Sequence, residues 1–185
     1  MKIIVCVKTN MDLQMVRIKN REPVLEAIPY KVGDLEKNAL EAAIQIKEGG
    51  ADATIVALTV AEANGKVKET MKEALAMGAD EAVIVSDPAL AATDQAAVAA
   101  AVAKAVEKVG GADLLLFGEG STDNYSGQVG SRVAELLGVP QIGYARKISL
   151  SDAGVRVERS MDDMIETLEA PCPAAVTVVS EINEP

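Results

Sequence analysis

The feature that most constrains this chain is a regular alternation along its first 140 residues. Short apolar runs rich in β-branched residues are separated by stretches of helical period. Lys2–Val7, Thr54–Thr59, Glu81–Val85 and Leu114–Phe117 have the length and composition of buried strands. Between them, Leu35–Lys47 carries apolar residues at Leu35, Ala39, Leu40, Ala43, Ile44 and Ile46, a helical spacing closed by Gly49-Gly50. Lys66–Met77 predicts a second helix ended by Gly78. Thr93–Val109 predicts a third, Ala-rich and capped by Thr93 or Asp94, and residues from about Gly127 to Leu137 a fourth. Strands alternating with helices in this way imply a parallel sheet covered on both faces. Such sheets take their ligands beyond the carboxyl ends of the strands.

The texture changes after Pro140. Lys147–Leu150, Val155–Ser160 and Ile165–Leu168 predict short strands joined by turns, and Ala174–Val179 a last apolar strand. Near the start, Met15–Ile18 and Pro23–Leu25 predict a small hairpin around Asn20. With 185 residues, no internal repeat and no linker, a single domain over residues 1–185 is expected, strand-rich from about 145 to 180. Its apolar set is mostly Ala and Val, which lets helices lie close to a sheet.

Several function classes are disfavoured at once. A formal net charge of -10 opposes nucleic-acid binding, which needs cations to displace phosphate counterions. The chain has no histidine, so Ser-His-Asp triads, Cys-His pairs and the common His-based zinc sites are absent. Cys6 and Cys172 have no metal-ligand spacing and read as reduced, structural thiols; no metal site is expected. No apolar run approaches the roughly 20 residues of a membrane helix, so no membrane insertion is expected. The strand-like opening carries no signal-peptide cleavage pattern, and a cytoplasmic location is the expectation.

The most informative segment is Gly118-Glu-Gly-Ser-Thr-Asp-Asn-Tyr-Ser-Gly-Gln-Val-Gly130, which follows a strand and opens a helix. Gly118 and Gly120 allow a sharp turn after the strand. Beyond Ser126, the free backbone N–H groups of Gly127, Gln128 and Val129 suit a phosphate, assisted by the helix dipole. The segment is neither a P-loop nor the dinucleotide fingerprint, since both spacings are absent. The plainer reading is a strand–loop–helix connection with Ser126 as N-cap. Asp123 reads as a turn former or as a holder of a hydroxyl or metal. Val5–Lys8, Gly33–Glu36, Leu58–Val60 and the loop after Val85 are expected to end strands on the same edge. There Cys6 and Val60 serve either as walls for a flat adenine or as plain core.

These residues carry a resemblance. Ile3-Ile-Val-Cys-Val-Lys8 with Asp12, Asn38-Ala-Leu-Glu-Ala-Ala43 with Ile46-Lys-Glu48, Glu73-Ala-Leu-Ala-Met-Gly-Ala-Asp80 and Gly118–Gly130 occur in order. Ala134-Glu-Leu-Leu-Gly-Val-Pro-Gln141 and Ile182-Asn-Glu-Pro185 complete the series. Over essentially its whole length the chain resembles the β subunits of electron transfer flavoproteins. The resemblance implies a flavodoxin-like (adenine nucleotide α-hydrolase-like) three-layer α/β sandwich with a small late β hairpin region. It implies an α-subunit partner, and an FAD held mostly by that partner and lined on one side by the β subunit. It also implies AMP, or in bifurcating members a second FAD, in the β subunit's own pocket. The electron donors would be flavin-dependent dehydrogenases such as acyl-CoA dehydrogenase, and the subunit would be no enzyme by itself.

Carried over by position, Ser126, Gly127, Gln128 and Val129 would take the phosphate. Cys6, Gly33, Asp34, Leu35 and Glu36 would surround the adenosine with Thr59 and Val60, next to a loop at 61–65 longer than the family's usual one. Gly118, Glu119, Gly120 and Asp123 would shape the loop, Glu119 standing where many members carry Lys or Arg. Asp163 and Met164 replace two glycines common in the late hairpin, while Arg159 is kept. A loop that recognises the dehydrogenase and an arm that embraces the α subunit would follow in the family beyond the position of Pro185. The alternatives are a universal-stress-type ATP/AMP sensor that dimerises with itself, and a nucleotide hydrolase for which Asp123 is the carboxylate to suspect.

Overall fold

The computed structural model describes residues 1–26, 28–62 and 64–185. The chain opens with β1 (Lys2–Cys6), followed by four three-residue strands, β2 (Thr9–Met11), β3 (Arg17–Lys19), β4 (Glu22–Val24) and β5 (Tyr30–Val32). Then come α1 (Asp34–Glu48), β6 (Thr54–Ala61), α2 (Gly65–Met77), β7 (Glu81–Ser86), α3 (Gln95–Lys108), β8 (Leu114–Gly118) and α4 (Val129–Leu137). The chain finishes with β9 (Gln141–Ser151), β10 (Gly154–Ser160), β11 (Ile165–Ala170) and β12 (Ala174–Val178).

Eight of these strands form one sheet in the order β11-β10-β9-β12-β8-β1-β6-β7. The six from β9 to β7 run parallel, and β10 and β11 are added antiparallel at one edge. The strand pleat sorts the core into two layers. Ile3, Val5, Ile55, Ala57, Leu114 and Leu116 pack against α1 and α2 through Ala39, Leu40, Ala43, Met71 and Ala74. Ile4, Val56, Leu58, Leu115 and Phe117 pack against α3 and α4 through Ala99, Val102, Ala103 and Val133. This is the expected α/β three-layer sandwich with a late hairpin, β10–β11.

From β1 the chain winds outward through β6 to β7. It then returns by α3 to lay β8 on the other side of β1. The connections from β1 and β8 thus depart to opposite faces. That switch leaves a crevice above the carboxyl ends of β1, β6 and β8.

Several boundaries differ from expectation. The strands β2 and β5 pair with each other, Thr9 opposite Val32 and Met11 opposite Tyr30, in a ribbon too short to show a period. The early hairpin pairs Arg17–Lys19 with Glu22–Val24. Its two-residue turn puts Asn20 (φ 52°) and Arg21 (φ 68°) in the left-handed region that matches strand twist. β9 begins at Gln141, not Lys147, because its first half pairs with β12 and its second with β10. The late turn closes without glycine, Met161 N–H donating to the Met164 carbonyl at 2.9 Å. The lengthened loop expected at 61–65 includes Ala63, which lies outside the described residues. Among the described residues no helix is long and apolar enough to cross a membrane.

Candidate functional site

A cleft of about 300 Å³ opens above the carboxyl ends of β1, β6 and β8, between the loop 118–128 and the first turns of α3 and α4. Its lining brings together Cys6, Glu36, Val60, Gly118, Glu119, Gly120, Ser126, Gly127, Gln128 and Val129. One wall is apolar, built from Leu58, Val60, Leu90, Val98, Val102 and Phe117. The opposite bank is polar.

Gly33, Asp34, Leu35, Thr59 and Asp123 do not line the cleft. Gly33–Glu36 do not end a strand of the main sheet; Gly33 precedes α1 and the other three are its first residues. Asp34 points outward to Lys31 at 3.0 Å. Leu35 lies beneath Gly118, its Cβ 2.7 Å from where a methyl on Gly118 would be. Thr59 is buried on the opposite side of the pleat from Leu58 and Val60. Asp123 instead binds Lys8.

Sequence reasoning put Lys8 on this edge and Ser121 and Asn124 in the loop without giving them a role, and missed Thr9 and, on the far side, Leu90, Thr93, Asp94, Gln95 and Val98. The expectation that the loop after Val85 reaches this edge was the available signal. It named no residue because the cap of α3 looks the same whether or not a cleft lies beside it.

The start of α4 differs from the expected one. The helix begins at Val129 with Gln128 as its N-cap and no side-chain cap. Ser126 is not the N-cap; its N–H donates to Asn124 Oδ1 at 3.2 Å. The reason is Gly127, whose φ of +63° breaks the helical path. A methyl there would stand 3.2 Å from the Glu119 carbonyl oxygen. Among the described residues the amides of Gly127, Gln128 and Val129 have no acceptor in the chain. They face an uncapped helix N-terminus, which suits an anionic group. α4 is held tightly to the sheet: a methyl at Gly130 would lie 2.8 Å from Thr177 Cγ2 and 3.3 Å from Phe117.

Charged groups on the polar bank are mostly paired. Lys8 Nζ lies 2.6 Å from Asp123 Oδ2 and 3.3 Å from Ser121 Oγ. Burial alone would raise the Asp123 pKa, but hydrogen bonds from Lys8 and Ser121 outweigh it and hold the carboxyl below its ordinary value. The Tyr125 hydroxyl donates to Glu119, which pushes the phenol up to about 12. That ring lies over Gly120, where any Cβ would meet it at 3.0 Å. Glu36 stands apart. It is 4 % exposed and its Oε2 has no partner. Burial pushes its pKa up to about 7 against the opposing pull of its own backbone amide and Lys8.

Burial also drives the Cys6 thiol well above its ordinary range, so it lines the cleft as a neutral apolar group. Cys172 corrects the expectation that both thiols are buried structural groups: it is exposed, in the turn before β12. The geometry therefore offers an apolar slot for a flat ring, a bank of amides for an anion, and a buried carboxylate between layers. Among the described residues no group of three or more Cys, Asp and Glu is placed to hold a metal.

The chain is thus a doubly wound α/β protein with a cleft at the topological switch point of its sheet. Residues 24–185 match the family described as electron transfer flavoprotein domain. The chain is 36% identical over 188 residues to the electron transfer flavoprotein subunit beta of Thermoanaerobacterium thermosaccharolyticum, covering 100% of this chain and 70% of that one. It is 35% identical over 187 residues to the caffeyl-CoA reductase-Etf complex subunit CarD of Acetobacterium woodii, covering 100% of this chain and 71% of that one. The chain belongs to the electron transfer flavoprotein β family.

Proposed function

We propose that this chain is the small (β) subunit of an electron transfer flavoprotein, binding AMP or a second FAD in the cleft and lining one side of a flavin shared with an α subunit. The observation that carries the reading is the pairing of an apolar slot with the acceptor-free amides of Gly127–Val129, in a chain of this family. Leu58, Val60 and Val98 would flank the adenine, and the amides at the start of α4 would hold the phosphate. FAD, when bound, supplies the electron-carrying chemistry. This chain's residues bind, orient and exclude water, and none is assigned a catalytic role. The partners under this reading are the α subunit and flavin-dependent dehydrogenases.

Mass spectrometry of the small molecule released on denaturing the purified protein tests the assignment. AMP or FAD in near-stoichiometric amount is expected. If none is released, AMP should bind the protein in calorimetry and raise its melting temperature; failure of both overturns the reading. A protein that forms a stable homodimer and takes ATP, ignoring a co-expressed α subunit, would favour a stress-type sensor instead.

A further inference from the structure

The asparagines of the chain are Asn10, Asn20, Asn38, Asn64, Asn124 and Asn183, and Asn64 alone precedes a glycine. The pair Asn64-Gly65 ends the loop at 61–65, and both residues are exposed. Asn64 is the N-cap of α2, its Oδ1 accepting from Val67 N–H at 2.9 Å, and Gly65 is the first residue of the helix.

Both sides of this junction favour a reaction between the two residues. The Gly65 N–H has no acceptor within the helix, as in any first turn. No Cβ shields its nitrogen, and nothing lies within 4 Å of where one would be. At Asn64 the fixed Val67 N–H stabilises negative charge developing on Oδ1 when the amide carbon is attacked. Among the described residues Asn64 Nδ2 donates to nothing, so the leaving group is unrestrained. The cap also holds Asn64 in place, but releasing one cap bond slows the attack by no more than roughly tenfold.

We infer that Asn64-Gly65 is a site of spontaneous deamidation that edits the cap of α2. The Gly65 nitrogen bonds to Asn64 Cγ, the Cγ–Nδ2 bond breaks, and the amide leaves as ammonia together with the Gly65 proton. Water then opens the cyclic imide. Cleavage between the nitrogen and Cγ gives aspartate; cleavage between the nitrogen and the main-chain carbonyl gives isoaspartate. The two products act oppositely on α2. Aspartate caps as well as asparagine and adds a negative charge where the helix dipole favours one. Isoaspartate lengthens the main chain by one carbon and takes the cap oxygen away from Val67. Ala61 of the same loop lines the cleft, so the change is made beside the candidate site.

Ageing the purified full-length chain at mildly alkaline pH, followed by peptide mapping and enzymatic detection of isoaspartate, tests this. The Asn64 peptide should deamidate roughly tenfold or more faster than those of Asn20 and Asn124, which are exposed but precede Arg21 and Tyr125. Gly65→Ala, whose methyl meets no neighbour, should bring Asn64 down to their rate. In urea the wild-type rate at Asn64 should rise by no more than roughly tenfold. Equal rates at the three asparagines overturn the inference. A rate at Asn64 unchanged in Gly65→Ala overturns it, since the glycine then plays no part. Reaction in urea alone also overturns it, since the fold then shields the junction. Should the variant fail to fold, the wild-type comparison still decides.

Discussion

The buried Asn38 of α1 and Asn183 near the end of the chain hold each other reciprocally. Asn38 Nδ2 donates to both the carbonyl and the Oδ1 of Asn183 at 3.0 Å, and Asn183 Nδ2 donates to the Asn38 carbonyl at 3.0 Å. Asn38 also reaches the Ser180 carbonyl at 3.2 Å. The final segment is thereby fixed to the first turns of α1, two residues from Glu36. Asn183 uses its amide in both directions, Oδ1 accepting and Nδ2 donating, while Asn38 donates through Nδ2 and accepts through its backbone carbonyl.

Asn38→Ala should lower stability to urea by about 1 kcal/mol, the cost of losing hydrogen bonds to part-buried carbonyls. Asn183→Ala should cost a similar amount, and the double variant distinctly less than the two together, since the partners share one network. Additive losses in the denaturation midpoints would show that the two side chains act separately.

Gly130 and Gly65 should respond oppositely to the same change. A methyl on Gly130 meets Thr177 and Phe117 at 2.8 and 3.3 Å, in a contact between helix and strands that has little room to yield. Gly130→Ala should cost about 1–3 kcal/mol by overpacking. At Gly65, the first residue of α2, nothing lies within 4 Å of the new methyl. Gly65→Ala should be neutral or stabilising by up to about 1 kcal/mol through helix propensity. Urea denaturation of both variants checks the contrast.

Much of the fold was legible because period and length agreed at each main element. The four helices and the buried parallel strands lie within a few residues of where apolar spacing puts them. What was not legible depends on distant partners. β2 and β5 are three residues each and exist only because they pair with each other. The extent of β9 is set by β12 and β10 on its two sides. At the site, Gly127–Val129 and the walls Cys6 and Val60 were readable, because a glycine-rich loop after a strand is a local signal. The start of α3 was not, because its place at the cleft is decided by topology. The motif Glu73–Asp80 was read as part of the family resemblance and given no local role. Its end residues instead serve the fold: Glu73 accepts from Val32 N–H and pairs with Lys37, and Asp80 accepts from Ile55 N–H and pairs with Lys47.

Stability should fall as pH rises from about 4.5 to 7. In the folded chain burial raises the Glu36 pKa from its ordinary value to about 7, facing Lys8, Asp34 and Asp123. The folded state therefore binds one more proton than the unfolded state inside that window, and loses stability as the proton leaves. The full effect is on the order of 3 kcal/mol, complete above pH 7 and absent below the unfolded value. Asp80 and Asp123, whose pKa values are lowered, act in the opposite direction only at more acid pH. Urea midpoints at pH 5 and 7.5 should differ for the wild-type chain, and this component should vanish in Glu36→Gln. An unchanged slope in the variant would assign the dependence to another group.

The two thiols should separate by reactivity, and the ligand should act on only one of them. Alkylation proceeds through the thiolate. Burial suppresses ionisation at both cysteines, far more strongly at Cys6, and Cys172 is also exposed. At pH 8, iodoacetamide should modify Cys6 at least about tenfold more slowly than Cys172, as peptide mapping would read it. Cys6 lines the cleft and Cys172 does not. Added AMP should therefore slow Cys6 further and leave Cys172 unchanged. Equal rates would mean that Cys6 is reached by solvent, and protection of Cys172 alone would put the nucleotide somewhere other than the switch-point cleft.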